Sequence, residues 1–319
     1  MAHQARSSAP TQMRRAATSE RRGAIDQLRR SLVAGRNADG GWGYYAGKAS
    51  RLEPTCWALL ALHSGLDSGT AAPAVPDPAL AWLAGRQQPS GWLVEHADWP
   101  VNIAFNALAA FTLHQQRDLV PAQLHQRLLA AVVASKGSQA APAPNTPQDN
   151  TLQGWSWIDA TFSWVEPTCW GLLALKRTRG AGLADASAGA RIAEAERLLI
   201  DRTCRPGGWN YGNSVVMQQD LRPYGSTTAL GLLAMQNRRD EDAVIRSLAT
   251  LETLWPDERS ATALGLSLVC LDLYERPANP LLAQLIDHTP NALAFGNYHG
   301  IAVALFALSS VGQAHVFRI

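Results

Sequence analysis

No stretch of the 319 residues approaches the ~18 consecutive apolar residues that a membrane-spanning helix needs. Cysteine is scarce as well. The four present (Cys56, Cys169, Cys204, Cys270) form no CxxC pair and no disulfide-like spacing, so the chain reads as cytoplasmic with reduced thiols. Neither sign of charge dominates: the net +2 implies no strong polyanionic partner, and nucleic acid is not expected. The one imbalance lies in the first thirty residues, where seven Arg stand against Glu20 and Asp26. No apolar h-region follows them, so neither a secretory nor a twin-arginine signal is readable. Residues 1–22 read as a basic, disordered tail and 23–319 as a single domain. The alternative for the basic start is a peripheral contact with an anionic membrane or a partner subunit.

Two nearly identical strings are present. LEPTCWALLAL (52–62) and VEPTCWGLLAL (165–175) differ at two of eleven positions and lie 113 residues apart. Sliding the pattern T-x-x-[AG]-L-L-A-L along the chain finds six sites: TCWALLAL (55–62), AFNALAAF (104–111), TCWGLLAL (168–175), TALGLLAM (228–235), TALGLSLV (262–269) and IAVALFAL (301–308). Each is apolar or small over two turns with no polar face, which predicts a buried helix with Ala and Gly permitting close packing. Between them lie amphipathic helical candidates at 23–34, 78–86, 118–134, 189–200, 240–253 and 279–287. The Pro/Ala/Gln-rich stretch 138–151 resembles a linker, but the repeats continue across it, so it reads as a loop. Six buried and six amphipathic helices can stack as a linear solenoid or close into a ring. Because no repeat looks like a polar cap, the ring is the expected form: an all-α, single (α/α)6 toroid with six inner helices ringed by six outer ones.

A second repeated element occupies the turns. NADGGWGYY (37–45), QQPSGWLV (87–94), LQGWSWI (152–158) and CRPGGWNYG (204–212) each set Gly beside Trp. Gly permits a tight positive-φ turn after an outer helix, and Trp supplies a large wedge between neighbouring helices.

Together these elements resemble the α/α-toroid superfamily of terpenoid cyclases and protein prenyltransferase β subunits, over residues 30–310. DGGWG and PGGWN are similar to that superfamily's Gly-Trp turn, with Gly35 and Arg202 where a Gln often leads it. The resemblance implies a central cavity that binds an isoprenoid or similar apolar substrate.

Registering the helices on the repeat places Glu53, Asn102, Glu166, Ser226, Ser260 and His299 two residues before the Thr position. With Pro54 and Pro167 at the first helical position, each Glu is expected at the N-cap, at the mouth of the inner barrel. Glu caps a helix poorly compared with Ser, Thr, Asp or Asn, so its recurrence points to another role. The resemblance sharpens this. Class II cyclases of the squalene–hopene type carry D-x-D-D-T-A before an equivalent helix, and their proton-donating middle Asp aligns with Glu166 and with Glu53. Here Trp164 and Pro167, or Arg51 and Pro54, replace the flanking Asp residues. Burial in an apolar barrel should outweigh the helix dipole and keep such a Glu neutral at pH 7. A raised pKa also makes a weaker acid, suited to epoxides and activated alkenes rather than squalene.

His299 falls beside Glu53 if the ring closes, where the two can act together in proton transfer. The Tyr298-His299 pair also resembles the Tyr-His of protein prenyltransferases, in which the His binds zinc. Their D-x-C partner has no counterpart, since Asp201 and Cys204 lie at an outer position; a catalytic zinc wants three converging ligands, so no cofactor is expected. Trp57, Trp170, Trp99, Trp164, Tyr224 and Tyr298 are expected to line the mouth as a cage able to stabilise a cation. Arg222 and Arg51 are candidates for a diphosphate head group.

The expected function is therefore a terpenoid cyclase-like or prenyltransferase-like protein performing proton-initiated cyclisation or isomerisation, with Glu166 as acid and Glu53 and His299 assisting. Two alternatives stand beside it. One is a carbohydrate-active (α/α)6 enzyme, which requires an open groove with exposed Trp. The other is a non-catalytic binding protein whose Glu residues pair with Arg51 or Arg222.

Overall fold

The computed structural model describes residues 8–64, 77–141, 147–180, 186–313 and 315–319, with side chains described from residue 18 onward apart from residue 186. The described residues are mostly helical, and the protein is all-α. In chain order the helices are α1 (Ser8–Ala34), α2 (Leu52–His63), α3 (Pro78–Ala84), α4 (Ile103–Gln115), α5 (Ala122–Ala134), α6 (Val165–Gly180), α7 (Ala186–Asp201), α8 (Gly225–Ala234), α9 (Asp242–Leu254), α10 (Ala261–Leu273), α11 (Asn279–Phe295) and α12 (Tyr298–Ser310). Short strands β1 (Val215–Val216) and β2 (Gln219–Asp220) pair antiparallel before α8.

The six repeated strings form the even-numbered helices, and nearly every residue of them is buried. α2 packs on α4, α4 on α6, α6 on α8, α8 on α10, α10 on α12, and α12 on α2. The odd-numbered helices cover them: α3 on α2, α5 on α4, α7 on α6, α9 on α8, α11 on α10 and α12, and α1 on α11 and α12. Amphipathic helices bury one stripe against this inner set, as their period requires.

Helix extents depart from expectation at two places. Helix α1 begins at Ser8, so helix covers most of the segment read as a disordered tail. Its Arg21 donates to Leu308 O (2.7 Å) and Val311 O (3.0 Å), satisfying carbonyls that the end of α12 leaves without helical partners. Residues 1–7 lie outside the described residues. Helix α11 continues through Pro290 to Phe295 and ends at Gly296, whose φ of 68° is the left-handed cap that glycine adopts without strain.

The Gly-Trp turns join outer to inner helices by one repeated set of bonds. The indole N–H of Trp42, Trp155 and Trp209 donates to Leu32 O, Val132 O and Leu199 O, each at 2.7 Å, in the last turn of the preceding outer helix. The backbone N–H of the same three Trp donates to Thr55, Thr168 and Thr228 Oγ1 at 2.9, 3.1 and 3.0 Å. The Thr of the repeat is thus a latch holding the turn against the inner helix. The Gly before each Trp makes the latch possible: a Cβ on Gly154 would lie 2.2 Å from Thr168 Oγ1, and one on Gly208 would lie 2.7 Å from Thr228 Oγ1. Gly171 and Gly231, three residues after the Thr, leave room for the Trp ring, since a Cβ there would sit 2.4–2.5 Å from Trp155 and Trp209.

In the second copy the latch is Asn106, which accepts from Leu93 N at 2.7 Å and donates to Leu93 O at 3.0 Å. Leu93 therefore takes the wedge place, with partly exposed Trp92 one residue before it. This shifts the register of α4 by two residues: Asn106, not Ala104, holds the Thr position.

The latch register also orders the starts of the even-numbered helices. Three residues before the latch, Ile103 N donates to Trp157 O (2.8 Å) and Val165 N to Tyr211 O (2.9 Å), each in the next turn along the chain. Tyr298 N makes the same bond to Tyr44 O (2.8 Å), from the last inner helix to the first turn.

Candidate functional site

Glu53 and Glu166 are the second residues of α2 and α6, and Pro54 and Pro167 the third. Neither Glu is an N-cap. The N-cap of α2 is Arg51, without a side-chain capping bond, and Leu52 N instead donates to Glu95 Oε1 (2.7 Å) from the following loop. Proline is tolerated throughout the first turn because those N–H groups have no helical acceptor. Freed from capping, both Glu side chains reach a cavity of about 180 Å³, where they meet Trp57, Trp170, Tyr211, Ser226, Leu230, Thr262, Leu266 and His299.

Glu53, Glu166 and His299 converge there, and Tyr44 reaches Glu53 from the first turn. His299 Nε2 lies 3.5 Å from Glu53 Oε1, as adjacency of α12 and α2 requires. The Tyr44 hydroxyl, from the first Gly-Trp turn, donates to Glu53 Oε2 at 2.5 Å. Burial pushes the Glu53 carboxyl up to about 7; the Tyr44 bond opposes this by stabilising the charged form. Glu166 rises further, to about 8, through burial and then the charge of Glu53. Burial drives His299 the other way, down to about 4, so its imidazole is neutral. At neutral pH the cavity thus holds at least one protonated carboxyl beside a neutral base. The Trp170 indole N–H is buried without a completed hydrogen bond, yet lies near enough to the Glu166 carboxyl to favour its charged form.

The walls are aromatic. Trp57 and Trp170 meet edge to face with centroids 5.8 Å apart, and Trp57 lies 6.2 Å from the His299 ring. Both indoles are almost wholly buried.

The remaining expected site residues lie elsewhere. Trp99 is half exposed, 5.3 Å from the His96 ring, with the Arg51 guanidinium 4.7 Å above it. Arg51 is bidentate to Glu95 at 2.8 and 3.0 Å, so neither a diphosphate nor Glu53 claims it. Arg222 stacks over Tyr224 at 5.7 Å, and Tyr224 in turn packs on Tyr211 at 5.2 Å. Trp164 is partly exposed against Gly212 in a neighbouring surface hollow. Tyr298 packs on Gly35 at the end of α1, where any Cβ would overlap its ring. Asn102 is the N-cap of α4, accepting from Phe105 N at 2.9 Å; the register shift above puts Ala104 in its expected place. Asp201 pairs with Arg202, and Cys204 is buried with Asn210 Nδ2 3.7 Å away; neither is among the residues that line the cavity with His299.

Tyr44 and Tyr211 were not singled out from the sequence for the site, though both follow a turn Trp by two residues. That spacing is the signal that would have found them. Among the described residues no helix is long and apolar enough to cross a membrane, and no three His, Cys, Asp or Glu side chains gather as metal ligands. No protein-family model matches the chain, and no curated protein is significantly similar to it.

Proposed function

We propose that the chain is an (α/α)6 toroid whose central cavity binds a short isoprenoid-like, apolar substrate and isomerises or cyclises it by proton transfer. Support for the ring comes from the inner-helix packing, which returns from α12 to α2, and from the Tyr298–Tyr44 backbone bond that repeats the internal ones across that junction. The observation that carries the chemistry is one aromatic-walled cavity holding two carboxyls with raised pKa values and a neutral imidazole. Proton-initiated chemistry needs an acid that is still protonated at working pH and a base that is still free.

Glu166 is the acid. Its proton passes to an alkene carbon, the C=C electron pair forming the new C–H bond, or to an epoxide oxygen, whose lone pair takes the proton while the C–O bond breaks and its electron pair moves onto oxygen. The resulting cation sits against Trp57 and Trp170, whose ring faces stabilise positive charge by ~2 kcal/mol or more when dry. His299, backed by Glu53 and Tyr44, removes a proton from a neighbouring carbon to leave a double bond. One proton enters and one leaves, so the substrate is isomerised or cyclised without net loss. A carboxyl near 8 is a modest acid, which favours epoxides and activated alkenes. The cavity, about 180 Å³, is smaller than the ~300–1,000 Å³ typical of drug-sized ligands and fits a chain of about ten carbons, not a triterpene.

The test is incubation with free, epoxidised and diphosphorylated isoprenoids of graded length, with products read by gas and liquid chromatography–mass spectrometry. A new product from the short members, abolished in Glu166→Gln and reduced at least ~100-fold in His299→Ala, is the expected result. Turnover that survives Glu166→Gln removes the assigned acid.

A further inference from the structure

The far end of the inner helix set is occupied by the last described residues of the chain. Phe317 is wholly buried. Its ring lies 4.9 Å from Phe111 of α4, 5.6 Å from Phe306 of α12, 6.0 Å from Trp57 of α2 and 6.2 Å from Trp170 of α6, with the Trp57 contact stacked. One side chain thus touches four of the six inner helices. Phe111 and Phe306 each lie five residues after the latch position, one turn deeper than Trp57 and Trp170 at two residues after it. The ring therefore stands directly below the two indoles that line the cavity.

The tail is tied where it enters. Phe317 O accepts from Gln236 Nε2 and Arg318 O from Arg177 Nη1, each at 2.7 Å, beside the C-terminal ends of α8 and α6. His315 is buried against both the Phe306 and Phe317 rings. The segment thus approaches from the end opposite Glu53 and Glu166.

We infer that Phe317 is the depth stop of the cavity: by propping Trp57 and Trp170 from below, it sets the longest apolar chain the site admits. Phe317 is a positioning residue that acts through these indoles, and the inference rests on the proposed apolar ligand. A packed interior has no slack, so deleting the benzyl group leaves space that the indoles or a longer ligand can enter. The occupant of that space is apolar, because four of the five rings packed on Phe317 are Phe or Trp and the fifth, His315, is buried with them.

The experiment compares the parent with Phe317→Ala and the gentler Phe317→Leu, in titrations with two chemically distinct length series. One is geraniol, farnesol and geranylgeraniol; the other is decanol, pentadecanol and eicosanol. The expected result is that the parent prefers the shortest member of each series, whereas Phe317→Ala shifts its preference to the middle member by ~10-fold, with Phe317→Leu in between. A general loss of packing weakens all members alike and does not reorder them. Reordering in the linear series alone sustains the depth stop and removes the isoprenoid reading. An unchanged order in folded Phe317→Leu, parallel weakening across both series, or no binding of any member overturns the depth stop.

Discussion

At the residue scale, the two Glu of the repeated string are held in a way that costs the fold stability. A carboxyl raised from about 4.5 to about 8, as at Glu166, binds its proton more tightly folded than unfolded. The stability this confers is fully present below pH 4.5 and is lost as pH rises towards 8. Glutamine keeps the shape and never ionises. Glu166→Gln is therefore expected to match the parent in urea unfolding at pH 4.5 and to exceed it by about 1–3 kcal/mol at pH 9. Equal stability at both values would show that Glu166 is solvated like a surface carboxylate. A helix-starting Glu with only a structural role predicts the opposite sign, since removing it should destabilise. The fold-weakening sign is the one expected of a group kept for its chemistry.

At the element scale, the recurring unit is the latch between turn and helix. Thr168 gives Trp155 both a hydrogen-bond acceptor for its N–H and a more distant donor for its carbonyl, at 3.1 and 3.5 Å. Thr168→Val keeps the volume and leaves the buried Trp155 N–H without a partner, at an expected cost of about 1–3 kcal/mol in denaturant unfolding. Gly154→Ala should cost more, because its Cβ must displace the same hydroxyl and, with it, the Thr168 Cγ2 2.8 Å away. Because both act on one contact, the double variant is expected to fall short of their sum by at least ~0.5 kcal/mol. Full additivity would mean the latch is not a unit.

The position of every inner helix, and of all six outer candidates, was legible in the sequence. Periodicity and small-residue content are local properties that packing then respects. The register of α4 was not legible. AFNALAAF matches the pattern about equally well from Ala104 or from Asn106 once Asn can stand for Thr, and only the paired bonds between Asn106 and Leu93 decide between them. Those two bonds move Asn102 from the cavity to a helix cap.

At the scale of the whole molecule, buried histidines set the acid limit of the fold. His114, His299 and His315 are each held down to about 4, chiefly by burial, and His125 is lowered as well. An ordinary imidazole takes up a proton near 6.5. The unfolded chain thus binds more protons between 6.5 and 4, and stability falls as pH drops through that window. The Glu pair acts in the opposite direction above 4.5. The two trends together predict a stability maximum near pH 6–7, read from urea midpoints across pH 4–9. Replacing His315 by Phe should flatten the acid limb without moving the alkaline one. An acid limb that is unchanged in His315→Phe would place its cause elsewhere.

The sequence by itself determined the number, order and type of the helices, the Gly-Trp turns, and the presence of Glu53, Glu166 and His299 at helix starts. These follow from local spacing, because a helix repeats every 3.6 residues and a turn needs its own residue types. Only the tertiary structure decided that these three groups share one cavity, that Tyr44 bonds Glu53, that Arg51 belongs to Glu95, and that Phe317 closes the far end. Each of those contacts joins side chains through space, as with Phe111 and Phe317, and desolvation acts on a group only once the packing around it is complete. No pattern along the chain carries that information.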